Sequence, residues 1–284
     1  MTQERQLLGD GGVPIPPPSP DDVLLDKRDG YAIVTLNRPV VLNAINWSIL
    51  RRLKWALDEC EADENVKAII LTGAGRAFCS GGDLQSRPPE DGQPNPRAMD
   101  IYMKIWSMPK PVIAAVKGYA VGQGVELAGV CDLTVAGESA QFGEIQIRHG
   151  FGPPVLITPY TTAGHKQAKE LLLLGEQYDA REAQRLGLVN RVVPDDEVLA
   201  EAERIAVKLA SLSQRTVRQN KILVNRAYEL MGFREALDYR SDPMVQALAQ
   251  QTPGDDQSEH IRTLRERGWE AFRESRDRLY RGST

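Results

Sequence analysis

The sequence predicts an α/β fold of repeated strand-strand-helix or strand-helix units, closed by a helical C-terminal third. Three observations carry that class. Apolar runs rich in Val, Ile and Ala recur at residues 68–73, 112–116 and 131–136 and read as strands of a buried sheet. The first two lead into glycine-rich stretches, 74–84 and 118–124, where the chain must turn tightly. From residue 196 onward, apolar positions fall at helical spacing amid dense charge.

The chain has 284 residues, of which 42% are hydrophobic and 26% charged, ordinary values for a globular protein with a sizeable core. A net charge of -4 excludes the overall basic field that accumulates nucleic acid or anionic membrane. The three cysteines, Cys60, Cys79 and Cys131, are odd in number and widely spaced, which favours packing roles in a reducing compartment. No window is long and apolar enough to span a bilayer, and the proline-rich start lacks the order of a signal peptide. The expectation is a cytoplasmic protein with no membrane partner.

Taken in order, residues 1–22 hold a Gly and Pro cluster with little to bury and are expected to form a disordered tail. Residues 23–36 read as strand, Asp29-Gly30 turn and strand, a hairpin. Asn46 is an N-cap candidate for a helix that buries Ile49, Leu50, Leu53, Ala56, Leu57 and Cys60 and ends before Asn65. Ala68–Gly73 is a buried-type strand, residues 85–97 a proline- and charge-rich surface loop, and Ala98–Ser107 a helix. Residues 140–154 read as irregular and polar. Helices follow at 167–174, 180–186 and 196–212, with a short strand at 187–194. Residues 214 onward are helical and charge-rich, with a break at 252–254. The expected organisation is therefore a tail over 1–22, a core over 23–200 and a helical C-terminal region over 201–284.

The stretch from Lys110 to Ala128 is where chemistry concentrates. An apolar strand is followed by Gly118, Gly122 and Gly124, then by Glu126 just inside an apolar helix. The first N–H groups of a helix lack intrahelical partners and carry positive partial charge, so an oxygen gaining negative charge is stabilised in front of such a turn. A carboxylate beside that position is a candidate base. Glycines that serve close packing, with Glu126 as a solvated first-turn residue, remain the alternative. No phosphate-binding glycine fingerprint occurs, and no His, Cys or carboxylate cluster has metal-ligand spacing.

Leu36-Asn37-Arg38-Pro39 with Leu42-Asn43-Ala44, the run Ala77 to Leu84, Lys110 through Ala128 with Cys131-Asp132, Ala140 to Gly143 and Gly187-Leu188-Val189 together resemble the crotonase, or enoyl-CoA hydratase/isomerase, superfamily. The match runs in register over residues 23–194. It implies a crotonase-like spiral of repeated β-β-α units with a helical C-terminal trimerisation region, assembled as a homotrimer or dimer of trimers. It implies an acyl-CoA thioester substrate and no separate cofactor, coenzyme A being part of the substrate. It also implies an oxyanion hole of two backbone N–H groups, which match Gly82 and Gln123, and a base that matches Glu126. Acyl-CoA contacts carry over to Arg38, Val40, Leu42, Ser80, Asp83 and Leu84.

Two departures from the family pattern stand out. Gln123 replaces the usual glycine of the second oxyanion donor, which leaves the backbone donor in place. Gln146 replaces the second glutamate of typical hydratases, and an amide cannot supply a proton at neutral pH, although it can orient a water. Glu144, two residues earlier, reads as structural. The remaining set of one carboxylate, one amide and an oxyanion hole suffices for single-base hydration or double-bond isomerisation. Pro154 stands where dienoyl-CoA isomerases and aromatic dehalogenases carry an aspartate, and His149 only weakly evokes the carbon–carbon hydrolases. A catalytically weak acyl-CoA-binding homologue is the rival reading. The Arg-rich stretch 262–281 alternates with acids, which disfavours nucleic acid as a partner.

Overall fold

Asp29 and Gly30 turn the chain between β1 (Val23–Lys27) and β2 (Tyr31–Leu36), which pair antiparallel with Val23 opposite Leu36. Gly30 takes a φ of +82°, a conformation that strains any residue with a Cβ. The computed structural model describes residues 17–86, 91–92, 95–150, 152, 157–237, 243–245 and 256–278. Of the disordered tail expected over 1–22, residues 1–16 lie outside the described residues, while Pro20–Asp22 form a 3-10 turn with Asp22 buried; the break at 252–254, Phe151, Pro153-Pro154 and much of the loop at 85–97 also lie outside them.

β3 (Ala68–Gly73) joins β2 in parallel, with α1 (Trp47–Ala62) as the crossover between them. Asn46 caps α1, its side-chain oxygen accepting from the Ile49 N–H at 2.9 Å. β5 (Val112–Val116), β7 (Leu133–Gly137) and β10 (Arg191–Val193) extend this sheet in the order β1-β2-β3-β5-β7-β10. Both faces of it are covered. One face buries Val34, Ile69, Leu71, Val112 and Ala114 against α1, and the other buries Ile33, Ile70, Ile113 and Val135 against Val198, Ala202 and Ile205 of α7 (Val198–Ser211). That is why β3 and β5 read as unbroken apolar runs instead of alternating ones.

A second sheet runs β4-β6-β8-β9, made of β4 (Ala77–Cys79), β6 (Tyr119–Val121), β8 (Gln141–Gly143) and β9 (Tyr178–Asp179). Three of its strands correct the sequence expectation. β4 and β6 lie inside stretches expected to be glycine turns, and β8 opens the segment expected to be irregular. Each is only three residues long, too short to show an alternation, and each exists because a longer strand of the first sheet delivers it. Successive passes of the chain thus place one strand in each sheet, and α3 (Gln123–Val130) leaves the end of β6.

The C-terminal region is tied to this core by polar as well as apolar contacts. α8 (Gln214–Leu230) sends Lys221 inward, where its Nζ donates to Asp132 Oδ2 at 2.7 Å and to the Ile105 carbonyl at 2.9 Å. Phe233 stacks on Trp106 with ring centroids 4.0 Å apart. The final helix, Asp256–Asp277, is broken at Gly268 and reaches the site region through an ion pair between Asp277 and Arg148. Among the described residues, no helix is long and apolar enough to cross a membrane.

Candidate active site

Glycine geometry makes the site possible. Gly122 ends β6 with φ +56° and ψ -126°, its N–H bonded to the Gly143 carbonyl of β8, and this turn starts α3. A Cβ on Gly124 would collide with the Cys79 carbonyl oxygen, so α3 lies directly on the end of β4. Gly81, at φ +100°, swings the chain out of β4 along the turn at Gly122-Gln123. A Cβ on Gly82 would come within 3.1 Å of the Gln123 side-chain oxygen. The expected pair, Gly82 and Gln123, is therefore brought together. Neither N–H donates a hydrogen bond among the described residues, and Gly82 is exposed.

Glu126 sits one turn into α3 and is only 1% exposed. The Tyr102 hydroxyl of α2 (Ala98–Ser107) stands 3.0 Å from its Oε2 and 3.2 Å from the Gln123 carbonyl oxygen. Burial, followed by the Glu126 charge, pushes the Tyr102 phenol well above its ordinary pKa, so it remains a donor. Tyr102 was not singled out as a site residue from the sequence. The only available signal was a tyrosine on the buried stripe of a helix, whose hydroxyl needs a partner.

Gln146 lies in a 3-10 turn, Ile145–His149, with its carboxamide carbon 3.5 Å from where a Cβ on Gly122 would stand. Its Nε2 donates to Glu144 Oε2 at 2.7 Å, and the Thr158 hydroxyl donates to Glu144 Oε1 at 2.7 Å. The two side chains meet although the backbone between them is not extended. Glu144 is 2% exposed, and burial pushes its pKa up to about 7 against the pull of both donors. Gln146 Oε1 is buried without a hydrogen-bond partner among the described residues. Thr158 gave no sequence signal, because only the packing of its short helix brings it near Glu144.

The remaining expected residues form an adjoining loop pair. Ser80 N–H donates to the Leu42 carbonyl at 2.9 Å, and Arg38, 6% exposed, pairs with Asp83 at 3.0 Å and donates to the Ala44 carbonyl at 2.8 Å. The Arg38 guanidinium is thus occupied in holding the loops at 38–44 and 80–84 together. Asn43 completes the junction, its Nδ2 donating to the Ala74 and Ala77 carbonyls and its Oδ1 accepting from the Arg38 N–H. Leu42 and Asn43 both adopt positive φ, which curls the backbone around Ser80. Val40 is half-buried and Leu84 exposed on the rim. Cys79 beneath the loop is fully buried, its thiol pushed up to about 12 by burial, so it stays a packing group. Among the described residues, no group of His, Cys, Asp and Glu is placed to hold a metal ion.

A buried carboxylate on the first turn of a helix, beside the neighbouring turns at Gly82 and Gln123, in two largely parallel sheets wound by successive passes of the chain is the arrangement of a crotonase-class fold. The enoyl-CoA hydratase/isomerase family model matches residues 26–282, and the chain belongs to that family. It is 39% identical over 210 residues to a probable mitochondrial enoyl-CoA hydratase of Dictyostelium discoideum, covering 72% of this chain and 76% of that one. It is 36% identical over 217 residues to the short-chain-enoyl-CoA hydratase of Clostridium acetobutylicum, covering 74% and 83%. Among solved structures, an enoyl-CoA hydratase/isomerase from Xanthobacter autotrophicus Py2 superposes with a TM-score of 0.80 at 36% identity, covering 91% of this chain and 98% of that one.

Proposed function

We propose that the protein acts on a 2-enoyl-CoA or an isomeric enoyl-CoA by single-base chemistry at Glu126. The thioester oxygen accepts from the Gly82 and Gln123 N–H groups, which stabilise it as it becomes enolate-like. In hydration, Glu126 takes a proton from water while the water oxygen bonds to C3 of the acyl chain. The electron pair moves to C2 and the thioester oxygen, and the same proton is returned to C2. In isomerisation, Glu126 takes a proton from C2 and returns it to C4 through a dienolate whose oxygen the same two N–H groups hold.

The observation that supports this reading is a buried Glu126 one helical turn beyond Gln123, whose N–H, like that of the neighbouring Gly82, has no hydrogen-bond acceptor among the described residues. Gln146 supports a one-acid mechanism, since its position over Gly122 holds an amide where a second carboxylate would serve two-acid hydration. The loops at 38–44 and 80–84 are read as the acyl-CoA rim, with Leu42, Ser80, Asp83 and Leu84 as contacts, Val40 beside them and Arg38 as their tie. Assembly as a homotrimer or dimer of trimers belongs to the same reading, and the exposed Ile222, Leu223, Leu230 and Met231 support it. The buried, unpaired cysteines support a reducing compartment such as the cytoplasm.

Mass-spectrometric product analysis with a panel of short, branched, cyclic and aromatic enoyl-CoAs tests the reaction. Glu126→Gln should abolish turnover while acyl-CoA affinity persists; undiminished turnover removes Glu126 from the mechanism. Binding across the panel with no conversion would instead favour the acyl-CoA-binding homologue.

A further inference from the structure

We infer that Glu144 is a positioning residue that fixes the sense of the Gln146 carboxamide over Gly122, keeping Oε1 turned from Glu144 as acceptor for the O–H of the attacking water. The same oxygen is the 3-hydroxyl of the hydrated product, so one acceptor serves both directions. The inference rests on the hydratase reading above and adds to it the device that makes an amide usable where an acid is missing.

The argument is one of donor and acceptor inventory. An ionised carboxylate only accepts, so both groups held against Glu144 must present hydrogens: the Thr158 hydroxyl at Oε1 and the Gln146 NH2 at Oε2, each at 2.7 Å. With its NH2 committed, the Gln146 amide must turn its carbonyl the other way. That oxygen is buried and without a partner among the described residues, on an amide resting against Gly122, whose carbonyl accepts from the Glu126 N–H. A buried acceptor left open is costly unless a ligand or water fills it. Were the amide reversed, an NH2 would stand where that acceptor now does and would repel a water proton.

The state of Glu144 then governs the device. Burial brings its titration to about 7 against the pull of the Thr158 and Gln146 donors, and the ionisable group tied to it is the Tyr102 phenol, which also feels Glu126 and Cys79. Once Glu144 holds a proton it can donate as well as accept, and the Gln146 amide is no longer held in one sense.

The test combines kinetics on crotonyl-CoA with a probe of the amide itself. The unmodified enzyme should show an acid limb in kcat near pH 7; Glu144→Gln should remove it and lower kcat ~10-fold at pH 8 with KM changed less than ~3-fold. The Glu144→Gln, Gln146→Ala double variant should be no slower than Gln146→Ala alone, because Glu144 acts through Gln146. In 15N-glutamine-labelled protein, the Gln146 NH2 resonance, assigned by its loss in Gln146→Ala, should titrate with a midpoint near 7. This measurement needs no Glu144 variant to fold. Multiplicative losses in the double variant, or a Gln146 resonance indifferent to pH, overturn the inference. Absence of turnover in the unmodified enzyme with the titration retained would count against the hydratase reading and leave the amide lock standing; turnover without the titration does the reverse.

Discussion

The hydroxyl of Tyr102 stands 3.0 Å from Oε2 of Glu126, so a phenol from one helix holds the carboxylate of another that begins 21 residues later. The same hydroxyl is 3.2 Å from the carbonyl oxygen of Gln123 and sets the Glu126 carboxylate, the candidate base, against the turn that carries the candidate oxyanion donor. Removing it takes away that hold on the Glu126 carboxylate. Tyr102→Phe should lower kcat ~10-fold on crotonyl-CoA with little change in KM, the signature of lost alignment instead of lost affinity. Steady-state kinetics check it, and a purely KM effect would place Tyr102 outside the chemistry.

Gln146→Glu should do the opposite to hydration. The new carboxylate would sit where Nε2 now lies 2.7 Å from Glu144 Oε2. Two carboxylates that close hold one proton between them through neutral pH. The pair then supplies the acid the native site lacks, and crotonyl-CoA hydration should rise ~10-fold. Loss of the enoyl absorbance measures it. No gain would mean that position 146 is not the place of the missing acid.

The elements that sequence reasoning recovered are those with local causes. Asn46 could be read as a cap because capping chemistry acts within three residues, and Ala68–Gly73 and Ala98–Ser107 because each carries its pattern over a full element. β4, β6 and β8 could not be, since three residues hold too little pattern and their pairing comes from the other sheet. The site divides in the same way. Gly81, Gly82 and Gly122 announce turns by residue type, and Glu126 follows from the turn that starts its helix. Tyr102 and Thr158 reach their carboxylates from elements 24 and 14 residues away, and nothing local marks them.

The Lys221–Asp132 pair predicts how the C-terminal region is held. Lys221 Nζ is 2.7 Å from Asp132 Oδ2, its side chain is 6% exposed, and Asp132 also accepts from the Val112 N–H at the start of β5. Lys221→Met leaves that carboxylate without its countercharge and should cost about 3 kcal/mol in denaturant unfolding. Adding Asp132→Asn should restore part of the loss, because the stranded charge is then gone. An equal or larger loss in the double variant would show that Lys221 acts by packing its stem.

Glu144 sets stability against function, and pH separates the two. Its folded-state pKa is raised from 4.5 to about 7 by burial. Below about pH 4.5 the group is protonated in folded and unfolded chains alike, and its burial carries no charge. Between 4.5 and 7 the folded chain keeps a proton that the unfolded chain releases, so stability is lost as pH rises through this window, by up to about 3 kcal/mol. Glu144→Gln cannot ionise and escapes that loss. The melting temperature of Glu144→Gln relative to the unmodified protein should therefore rise between pH 5 and pH 8, by about 5 °C. A difference that stays constant with pH would mean that Glu144 is not charged in its buried position. If it is charged, the enzyme gives up stability at the pH where an ionised Glu144 is needed to hold Gln146 in its working sense, which is the relation expected of a group kept for activity.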